Sequence, residues 1–438
     1  MAGDLINGEI PDHWEFTTLG EICQRGGGNI QTGPFGSQLH ASDYVPVGVP
    51  SIMPTNIGEN RIVEDGIVRI TEADANRLGQ HRLRAGDIIY SRRGDVEKRA
   101  LIREREEGWF CGTGCLKVRL GSGVVDPLFA SLFLGHPAIR EWIVRHAVGA
   151  TMPNLNTAIM SAVPFALPPL AEQKTIAAVL GALDDKIELN RRMNATLEAM
   201  ARALFQSWFV DFEPVRAKVD GRKPVGLDAA TASLFPEHLE DSKLGHIPKG
   251  WRACTLGDIG TNSRRGVQPG DIAPNTPYIA LEHMPRRCIA LGDWDDSAEV
   301  ASGKSAFKKG EILFGKLRPY FHKVGVAPFD GVCSTDILVL APKSPEWFGF
   351  LIGHASSDEL IQFTDLASTG TKMPRTNWSD ISSFNVALPP KTIAAAFTRN
   401  IQPMLDRIHA NLCQSRILAT LRDTLLPKLL SGELKIKS

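Results

Sequence analysis

The chain has few features that would suit a membrane or an extracellular space. No run in its 438 residues approaches the roughly 18 apolar residues that a membrane span needs. The seven cysteines are an odd, scattered set, and residues 1–10 carry acidic residues without an apolar stretch, so they do not resemble a secretory signal. Because hydrophobic residues make up 43% and charged residues 22%, composition is that of a globular protein. We expect a soluble cytoplasmic protein of two or three domains, without a membrane partner.

A metal site is also poorly supported. Cys111 and Cys115 are the only close pair of cysteines, and no second pair of ligands follows at matching spacing. We interpret them as buried thiols and predict no metal site.

Motifs of enzymes that act on DNA are missing as well. Gly303-Lys304-Ser305 has Ala298 where a phosphate-binding loop would have its first glycine, and Gly26-Gly27-Gly28 lacks the spacing of a dinucleotide site. No Asn-Pro-Pro-aromatic motif of adenine methyltransferases is present. Glu172-Gln173-Lys174 fits a solvated first helical turn better than a nuclease centre. We therefore predict a chain without a catalytic site of its own.

What the sequence does contain is an internal repeat. Ile10-Pro11-Asp12-His13-Trp14 with Thr18-Leu19-Gly20-Glu21-Ile22 returns 237 residues later as Ile247-Pro248-Lys249-Gly250-Trp251 with Thr255-Leu256-Gly257-Asp258-Ile259. Three further blocks recur in the same order: 85–89 at 309–313, 149–156 at 370–377, and 166–169 at 387–390. Four blocks in one order with slowly drifting offsets indicate two copies of one unit.

Each copy begins with short apolar runs broken by Gly, Pro and Asn, which is typical of a mixed α/β domain, and becomes helical after a Leu-Pro-Pro stop. The predicted boundaries are a first domain at 1–165, a first helix at 166–210, a linker at 211–246, a second domain at 247–387, and a second helix with the C-terminal segment at 388–438. The linker mixes charges with Pro and Gly, so we interpret it as connector rather than core.

Both helical segments carry apolar residues at alternating spacings of four and three, the pattern of a coiled-coil seam. The first seam comprises Ile176, Leu180, Leu183, Ile187, Asn190, Asn194, Leu197, Ala201, Leu204 and Trp208. Adding 221 gives the second: Phe397, Ile401, Met404, Ile408, Asn411, Ser415, Leu418, Arg422, Leu425 and Leu429.

The polar residues fall at the same place in both seams, where they would fix register. If the helices run antiparallel, these polar pairs meet at the midpoint and each domain is carried to an opposite end. The alternative is that each helix packs only on its own domain. Pro403 should kink the second helix or delay its start.

Although the whole chain is neutral, with 49 basic and 49 acidic residues, basic residues recur at one place in each copy. Residues 82–105 hold eight basic and four acidic residues, and residues 308–323 hold five and one, a net charge of +4 in each case. The candidate nucleic-acid contacts there are Arg92, Arg93, Lys98, Arg99, Lys316, Arg318 and Lys323. A solvated charged face is the alternative.

A second candidate is the segment that we call the Met-Pro loop, 151–156 in the first copy and 372–377 in the second. Its amides, hydroxyls and cations suit base or phosphate contacts, although the prolines and asparagines could simply shape a turn. The candidate side chains are Thr151, Asn154, Asn156, Lys372, Arg375 and Asn377.

Together these features resemble the specificity subunit of type I restriction-modification enzymes. The motifs that carry the resemblance are the two Ile-Pro-x-x-Trp starts, the Ala-Leu-Pro-Pro-Leu-Ala-Glu-Gln-Lys stretch at 166–174, Leu183 to Asn190, and the closing stretch from Leu425 to Leu434. They span nearly the whole chain. The second copy departs from the pattern at Lys391-Thr392-Ile393, which leaves the start of its helix uncertain.

The resemblance implies two repeated mixed α/β target-recognition domains, separated by two long antiparallel coiled-coil helices and reading the two halves of a split asymmetric site in double-stranded DNA. It also implies two methyltransferase subunits docked on the helices, and restriction subunits beyond them. S-adenosylmethionine, ATP and magnesium would be bound by those partners, with no cofactor in this chain.

Two other functions are compatible with parts of the pattern. A coiled-coil scaffold or interaction protein without DNA specificity would use the helices alone, and the recurrent basic segments argue against it. An enzyme with an unfamiliar active site, such as a fused methyltransferase, would bind or consume S-adenosylmethionine by itself.

Overall fold

The computed structural model describes residues 11–149, 152–297, 301–368 and 373–434. It divides the chain into two compact units, residues 1–185 with 418–438 and residues 186–417. Each unit therefore combines one domain with the start of one long helix and the end of the other. Among the described helices, none is long and apolar enough to cross a membrane.

The first unit contains, in chain order, β1 (Glu15–Thr18), α1 (Leu19–Arg25), β2 (Gly27–Thr32), β3 (Tyr44–Val45), β4 (Val49–Ile52), β5 (Val68–Ile70), α2 (Glu72–Arg77), β6 (Ile88–Ser91), β7 (Arg99–Leu101), β8 (Phe110–Cys111), β9 (Cys115–Gly121), α3 (Pro127–Phe133), α4 (Pro137–His146), α5 (Thr157–Ser161) and β10 (Pro164–Leu167). The long helix α6 (Leu170–Phe205) begins here and ends in the second unit.

The second unit continues with α7 (Glu213–Val219), α8 (Ala229–Ser233), β11 (Leu239–Ser242), β12 (Gly245–Pro248), β13 (Arg252–Thr255), β14 (Gly260–Asn262), β15 (Gly266–Val267), β16 (Pro277–Ile279), β17 (Asp295–Asp296), β18 (Lys304–Phe307), β19 (Ile312–Gly315), β20 (Val324–Val326), β21 (Gly331–Cys333), β22 (Ile337–Pro342), α9 (Phe348–Ala355), α10 (Asp358–Ala367), α11 (Trp378–Ser382) and β23 (Asn385–Leu388). The long helix α12 (Lys391–Leu430) begins here and ends in the first unit.

The sheets repeat in the two units. The antiparallel order β2-β9-β6-β7 returns as β14-β22-β19-β20. Each unit also has a second sheet with one parallel pair, four-stranded in the first unit with β4 beside β8, and five-stranded in the second with β16 beside β21. A third pairing joins the strand after the repeated tryptophan to the strand before the prolines. Phe16 faces Ala166 in β1–β10, and Ala253 faces Ala387 in β13–β23, so the register matches the offsets of 237 and 221. Both copies therefore form mixed α/β domains that share the four-stranded antiparallel sheet and this strand pairing.

The repeated Thr-Leu-Gly-acid motif has a local explanation. Thr18 and Glu21 form a capping box at the start of α1, and Thr255 and Asp258 form the same box in the second copy. The glycine between them allows a close approach of two backbones. A Cβ on Gly20 would lie 2.8 Å from the Cβ of Ser161, and one on Gly257 would lie 3.1 Å from that of Ser382. The motif thus fixes the helix that follows each Met-Pro loop.

The core of the first unit is completed by the far end of the chain. Leu429 and Leu430, in the last turn of α12, are buried in one cluster with Trp14, Phe165 and Leu180. In the second unit the turn that follows α6 has the corresponding role, where the Trp208 and Phe397 rings lie with centroids 5.4 Å apart. The long helices therefore do not pack only on their own domains, contrary to the alternative considered from the sequence.

Within the second unit the polar seam residues contact each other. Asn411 Nδ2 donates to Asn194 Oδ1 at 2.8 Å, and Asn190 Nδ2 donates to Ser415 Oγ at 3.2 Å. As the residue number rises along α6, the number of its partner falls along α12, so this stretch is antiparallel. The apolar seam residues of both helices are buried or half-buried: Ile176, Leu180, Leu183, Ile187, Leu197, Leu204, Ile401, Ile408, Leu418 and Leu425.

Three expectations about the helices and the linker are wrong. The start of helix α12 is not delayed by Pro403: the helix begins at Lys391, the equivalent of Leu170, and continues past the proline, since loss of a single backbone donor does not end a helix with a packed apolar face. Gln173 is buried rather than solvated, and its amide donates to Pro168 O at 2.7 Å. The linker supplies core residues, among them Phe212 and Phe235, because its few apolar side chains pack against Trp208 and Trp251.

One buried carboxylate fastens the end of α6 to the second domain. Glu198 is 7% exposed and accepts hydrogen bonds from the backbone N–H groups of Ile289 at 3.0 Å and Ala290 at 3.2 Å. Replacing Glu198 with Ala should lower the free energy of unfolding by about 1–3 kcal/mol, because these donors lose their acceptor. Glu198→Gln, which keeps one acceptor oxygen, should lose less than half as much. Urea unfolding measures both, with Met200→Ala on the exposed face as control, and equal midpoints for Glu198→Ala and the parent would contradict this role.

Candidate nucleic-acid interface

In each domain, two segments singled out in the sequence are joined by backbone hydrogen bonds. We call the three residues after β6 and after β19, residues 92–94 and 316–318, the basic turns. Leu155 N donates to Arg92 O at 2.9 Å, and at the repeat-equivalent position Thr376 N donates to Lys316 O at 3.0 Å. The basic turn and the Met-Pro loop therefore form one surface in each copy.

A second bond completes the arrangement. Gly94 N donates to Pro153 O at 3.1 Å, and Arg318 N donates to Pro374 O at 2.8 Å. Both acceptors are the prolines of the Met-Pro loops, and both donors have positive φ, 75° for Gly94 and 51° for Arg318. The same backbone frame is built twice, but the second copy holds an arginine in a conformation that favours glycine.

In the first copy the basic turn presents two adjacent arginines. Arg93 is exposed, whereas Arg92 is half-buried with its guanidinium carbon 5.6 Å from the centroid of the Phe35 ring. Burial, followed by the positive charge of Arg93, lowers the pKa of Arg92. Arg92 Nε is buried and has no hydrogen-bond partner among the described residues. Such a pair of cations suits an anionic ligand.

In the second copy two cations share one carboxylate, and a third cation lies in the same turn. Lys316 Nζ lies 3.9 Å and Arg375 Nη2 3.5 Å from Asp336 Oδ1. Arg318 lies with its guanidinium carbon 5.8 Å from the Phe321 ring centroid, and its buried Nε has no partner within the described residues. The cluster retains excess positive charge at the position equivalent to Arg92 and Arg93.

The prediction that Arg99 contacts nucleic acid is wrong. Arg99 is 9% exposed, Nε donates to Ser131 O at 2.6 Å, and a Cβ on Gly135 would lie 1.7 Å from Nη2. Arg99 is the first residue of strand β7, and its side chain faces the interior of the domain.

Two other lysines are less available than the sequence suggested. Lys98 is exposed but forms an ion pair with Asp95 at 2.6 Å. Lys323 is half-buried and donates from Nζ to Leu281 O. Burial lowers the pKa of Lys323.

The repeated asparagines act chiefly on the backbone. Asn156 Oδ1 accepts from Ile159 N at 2.8 Å and caps α5, and Asn377 Oδ1 accepts from Asp380 N at 3.2 Å and caps α11. Their recurrence is explained by these caps rather than by base contacts. Asn154 pairs through its backbone with Val148, and its Oδ1 is buried without a partner in the described part of the chain. Thr151 and Lys372 lie outside the described residues.

Exposed apolar side chains beside the cations were missed from the sequence. Met152 and Met373 occupy equivalent positions and are 60% and 52% exposed. Phe35 is 57% and Tyr320 49% exposed. Aromatic faces next to arginine are suited to stacking on bases. The positions of the two aromatic residues in the sequence could have indicated their exposure, since Phe35 lies in a Gly-Pro-Phe-Gly turn and Tyr320 follows Pro319 in the basic segment.

One group of three side chains has the composition of a cation site. Glu282, His283 and Asp295 bring their ligand atoms within 4.8 Å of one another. However, His283 Nδ1 accepts the N–H of Ala280 at 3.0 Å, which leaves the proton on Nε2, where it faces Asp295 Oδ2 at 3.2 Å. This geometry is a hydrogen-bonded pair and not a ligand set.

Cys111 and Cys115 are both buried, and burial raises the pKa of Cys111 to about 12.

Comparison with known proteins agrees with this picture. Residues 11–199 match the family described as type I restriction modification DNA specificity domain. The MjaIX specificity subunit of a type I restriction enzyme from Methanocaldococcus jannaschii is 25% identical over 98% of this chain and 95% of its own. The HindI specificity subunit from Haemophilus influenzae is 25% identical over 80% of this chain and 87% of its own.

The fold also has a solved counterpart. The S subunit of a type I restriction-modification system from M. genitalium superposes with a TM-score of 0.53 at 15% identity, covering 99% of this chain and 98% of that one. The resemblance seen in the sequence is thereby confirmed: the chain is similar over nearly its whole length to specificity subunits of type I restriction enzymes.

Proposed function

We propose that this non-catalytic DNA-specificity subunit reads a split asymmetric target in double-stranded DNA, one half-site with each domain. The observation that carries the proposal is the repeated frame in which a basic turn is bonded to a Met-Pro loop. Two copies of one frame, bearing different side chains, supply two readers of different sequence. Arginine side chains can pair with guanine edges or phosphates, and the exposed aromatics can stack.

The arrangement of the two domains follows from the helices. We propose that α6 and α12 form an antiparallel coiled coil that separates the domains, with the polar residues near its centre. The opposed numbering of the Asn194–Asn411 and Asn190–Ser415 pairs supports this arrangement. At 1.5 Å per residue, the 36 residues of α6 extend over about 54 Å, more than one turn of DNA. The target should therefore contain an unread spacer.

Partners should cover the outer faces of these helices. We propose that two methyltransferase subunits dock there, joined by restriction subunits, and that the partners bind S-adenosylmethionine, ATP and magnesium. Large apolar side chains support a docking surface because they stay exposed along both helices: Val179, Leu189, Met200, Ile417 and Leu421. The assembly would act in the cytoplasm. A scaffold without DNA specificity is not favoured, given the family of the chain.

The basic turns can be tested separately. Replacing Arg92 and Arg93 with Ala should weaken binding at one half-site, and replacing Lys316 and Arg318 with Ala should weaken binding at the other, each by about 1–3 kcal/mol. Binding of the assembled complex to targets with one half-site scrambled measures each contribution. Arg105→Ala, which removes a cation already paired with Glu106, is the matched control. If both double variants bind target and random DNA as the parent does, the turns are only solvated faces.

Arg318→Gly separates folding from recognition at the same position. Glycine should relieve about 1–2 kcal/mol of backbone strain at φ 51°, which offsets the about 0.4–1 kcal/mol of added chain entropy in the unfolded state. The free energy of unfolding should therefore not fall, while binding to the second half-site weakens. A loss of stability together with unchanged DNA binding would show that Arg318 is a structural residue.

Docking of the methyltransferase can be tested by co-expression with the methyltransferase subunit of a type I system. Native mass measurement should give one specificity subunit with two methyltransferase chains. Leu189→Glu or Ile417→Glu should reduce that number, because each places a charge on an exposed apolar helix face. Val219→Glu on α7, equally exposed, should leave the assembly intact. Complexes that lack any second chain type would refute the docking.

The helices can be lengthened without disturbing either domain. Seven residues inserted between 188 and 189 and seven between 416 and 417 keep the Asn190–Ser415 pair and preserve the heptad pattern. The coil would grow by about 10 Å, and the unread spacer by up to about three base pairs. Sequencing of methylated sites should show unchanged half-sites around a longer spacer. The parental spacer, or altered half-site bases, would contradict the spacing role of the helices.

A further inference from the structure

A half-buried charge pair joins the two long helices in the first unit. Arg422 of α12 donates from Nη1 to Asp184 Oδ1 of α6 at 2.8 Å, with side chains 15% and 13% exposed. Arg422 Nη2 also lies 2.8 Å from Asp423 and 3.5 Å from Glu59. Position 422 lies between the apolar seam residues Leu418 and Leu425, so this charge is held where a hydrophobic side chain would fit.

The internal repeat identifies the equivalent place in the second unit. Subtracting 221 from 422 gives Ala201, and adding 221 to 184 gives Leu405. Both residues line one small cavity of about 30 Å³, and Leu405 is 8% exposed. The same position is therefore ionic in one unit and apolar in the other.

The polar pairs in the second unit lack this asymmetry. Asn190 and Asn194 correspond to Asn411 and Ser415, so each helix carries a hydrogen-bonding side chain at both positions. If α6 paired with α6 of a second copy of the chain, Asn190 would meet Asn194 and a hydrogen bond could still form. These residues can fix register, but they do not distinguish one helix from the other.

We propose that the Asp184–Arg422 pair determines which helices associate, so that α6 pairs with α12 and not with the same helix of a second copy. In a pair of two α6 helices, Asp184 would face Ala201, and in a pair of two α12 helices, Arg422 would face Leu405. A symmetric pair of α6 helices would bury two Asp184 carboxylates without a cation. A symmetric pair of α12 helices would leave each Arg422 with only the exposed Asp423 of its own helix as a partner. The Asp184–Arg422 pair therefore disfavours association between equivalent helices of two copies of the chain.

The test uses the intact chain, cleaved only after it has folded. A protease site placed in the exposed segment 221–226 separates the halves without cutting a helix or strand. Cleaved protein labelled with nitrogen-15 is mixed with unlabelled protein in mild urea until mixed-isotope pairs show that exchange is complete. Native mass spectrometry then counts first-with-second, first-with-first and second-with-second pairs. We expect the parent to give almost only first-with-second pairs.

The decisive variant is Asp184→Leu with Arg422→Ala, which gives both units the Leu and Ala residues already present at 405 and 201. The fraction of self-pairs should rise at least tenfold. Asp184→Leu alone should raise only first-with-first pairs, and Arg422→Ala alone only second-with-second pairs. The control, Asn190→Ala with Ser415→Ala, removes a symmetric polar pair and should leave the proportions unchanged. If the double variant unfolds as the parent does but shows no increase in self-pairs, the charge pair serves stability alone and the proposal is wrong.

Discussion

The first domain cannot bury its core with its own residues, and much of the structure depends on this constraint. Trp14 and Leu180 share a cluster with Leu429 and Leu430, which are separated from them by the whole second domain. The second domain is likewise closed by the end of α6 and the turn after it, through the bonds of Glu198 and through Trp208. Apolar burial therefore links distant parts of the sequence, and the first compact unit is built from two separate stretches of chain. Substitutions at the end of one helix should be felt in the other copy's domain.

Much of the fold could be predicted because the signals were repeated or periodic. The first and the last of the four recurrent blocks contribute to strand pairs in matched registers, and the alternation of apolar residues marked both long helices. The packing of the linker into the core could not be predicted in this way, because Phe212 and Phe235 are isolated apolar residues in a charged segment and show no periodic spacing. The delayed helix start expected from Pro403 was wrong for another reason: packing along the rest of the helix outweighs the low helix propensity of one proline.

The candidate site was predicted as two separate loops, and the backbone hydrogen bonds that join them could not be inferred from the sequence. Recurrence placed both loops, but only the fold shows that Leu155 bonds to Arg92 and Thr376 to Lys316. A count of charges could not distinguish Arg99, which faces the interior of the domain, from Arg93, which is exposed. Asn156 and Asn377 recur for a reason that is local and structural, since each caps a short helix.

The close approach of Gly20 to Ser161, and of Gly257 to Ser382, has a consequence for how new specificities can arise. The helix that ends each Met-Pro loop is held by backbone contact, and the loop itself is held to the basic turn by backbone hydrogen bonds. Neither attachment depends on which side chains the loop carries. Mutation can thus exchange the residues that face a ligand while the frame stays in place, as the exchange of Gly94 for Arg318 between the two copies illustrates. A protein of this design can diverge in what it recognises far faster than in how it folds.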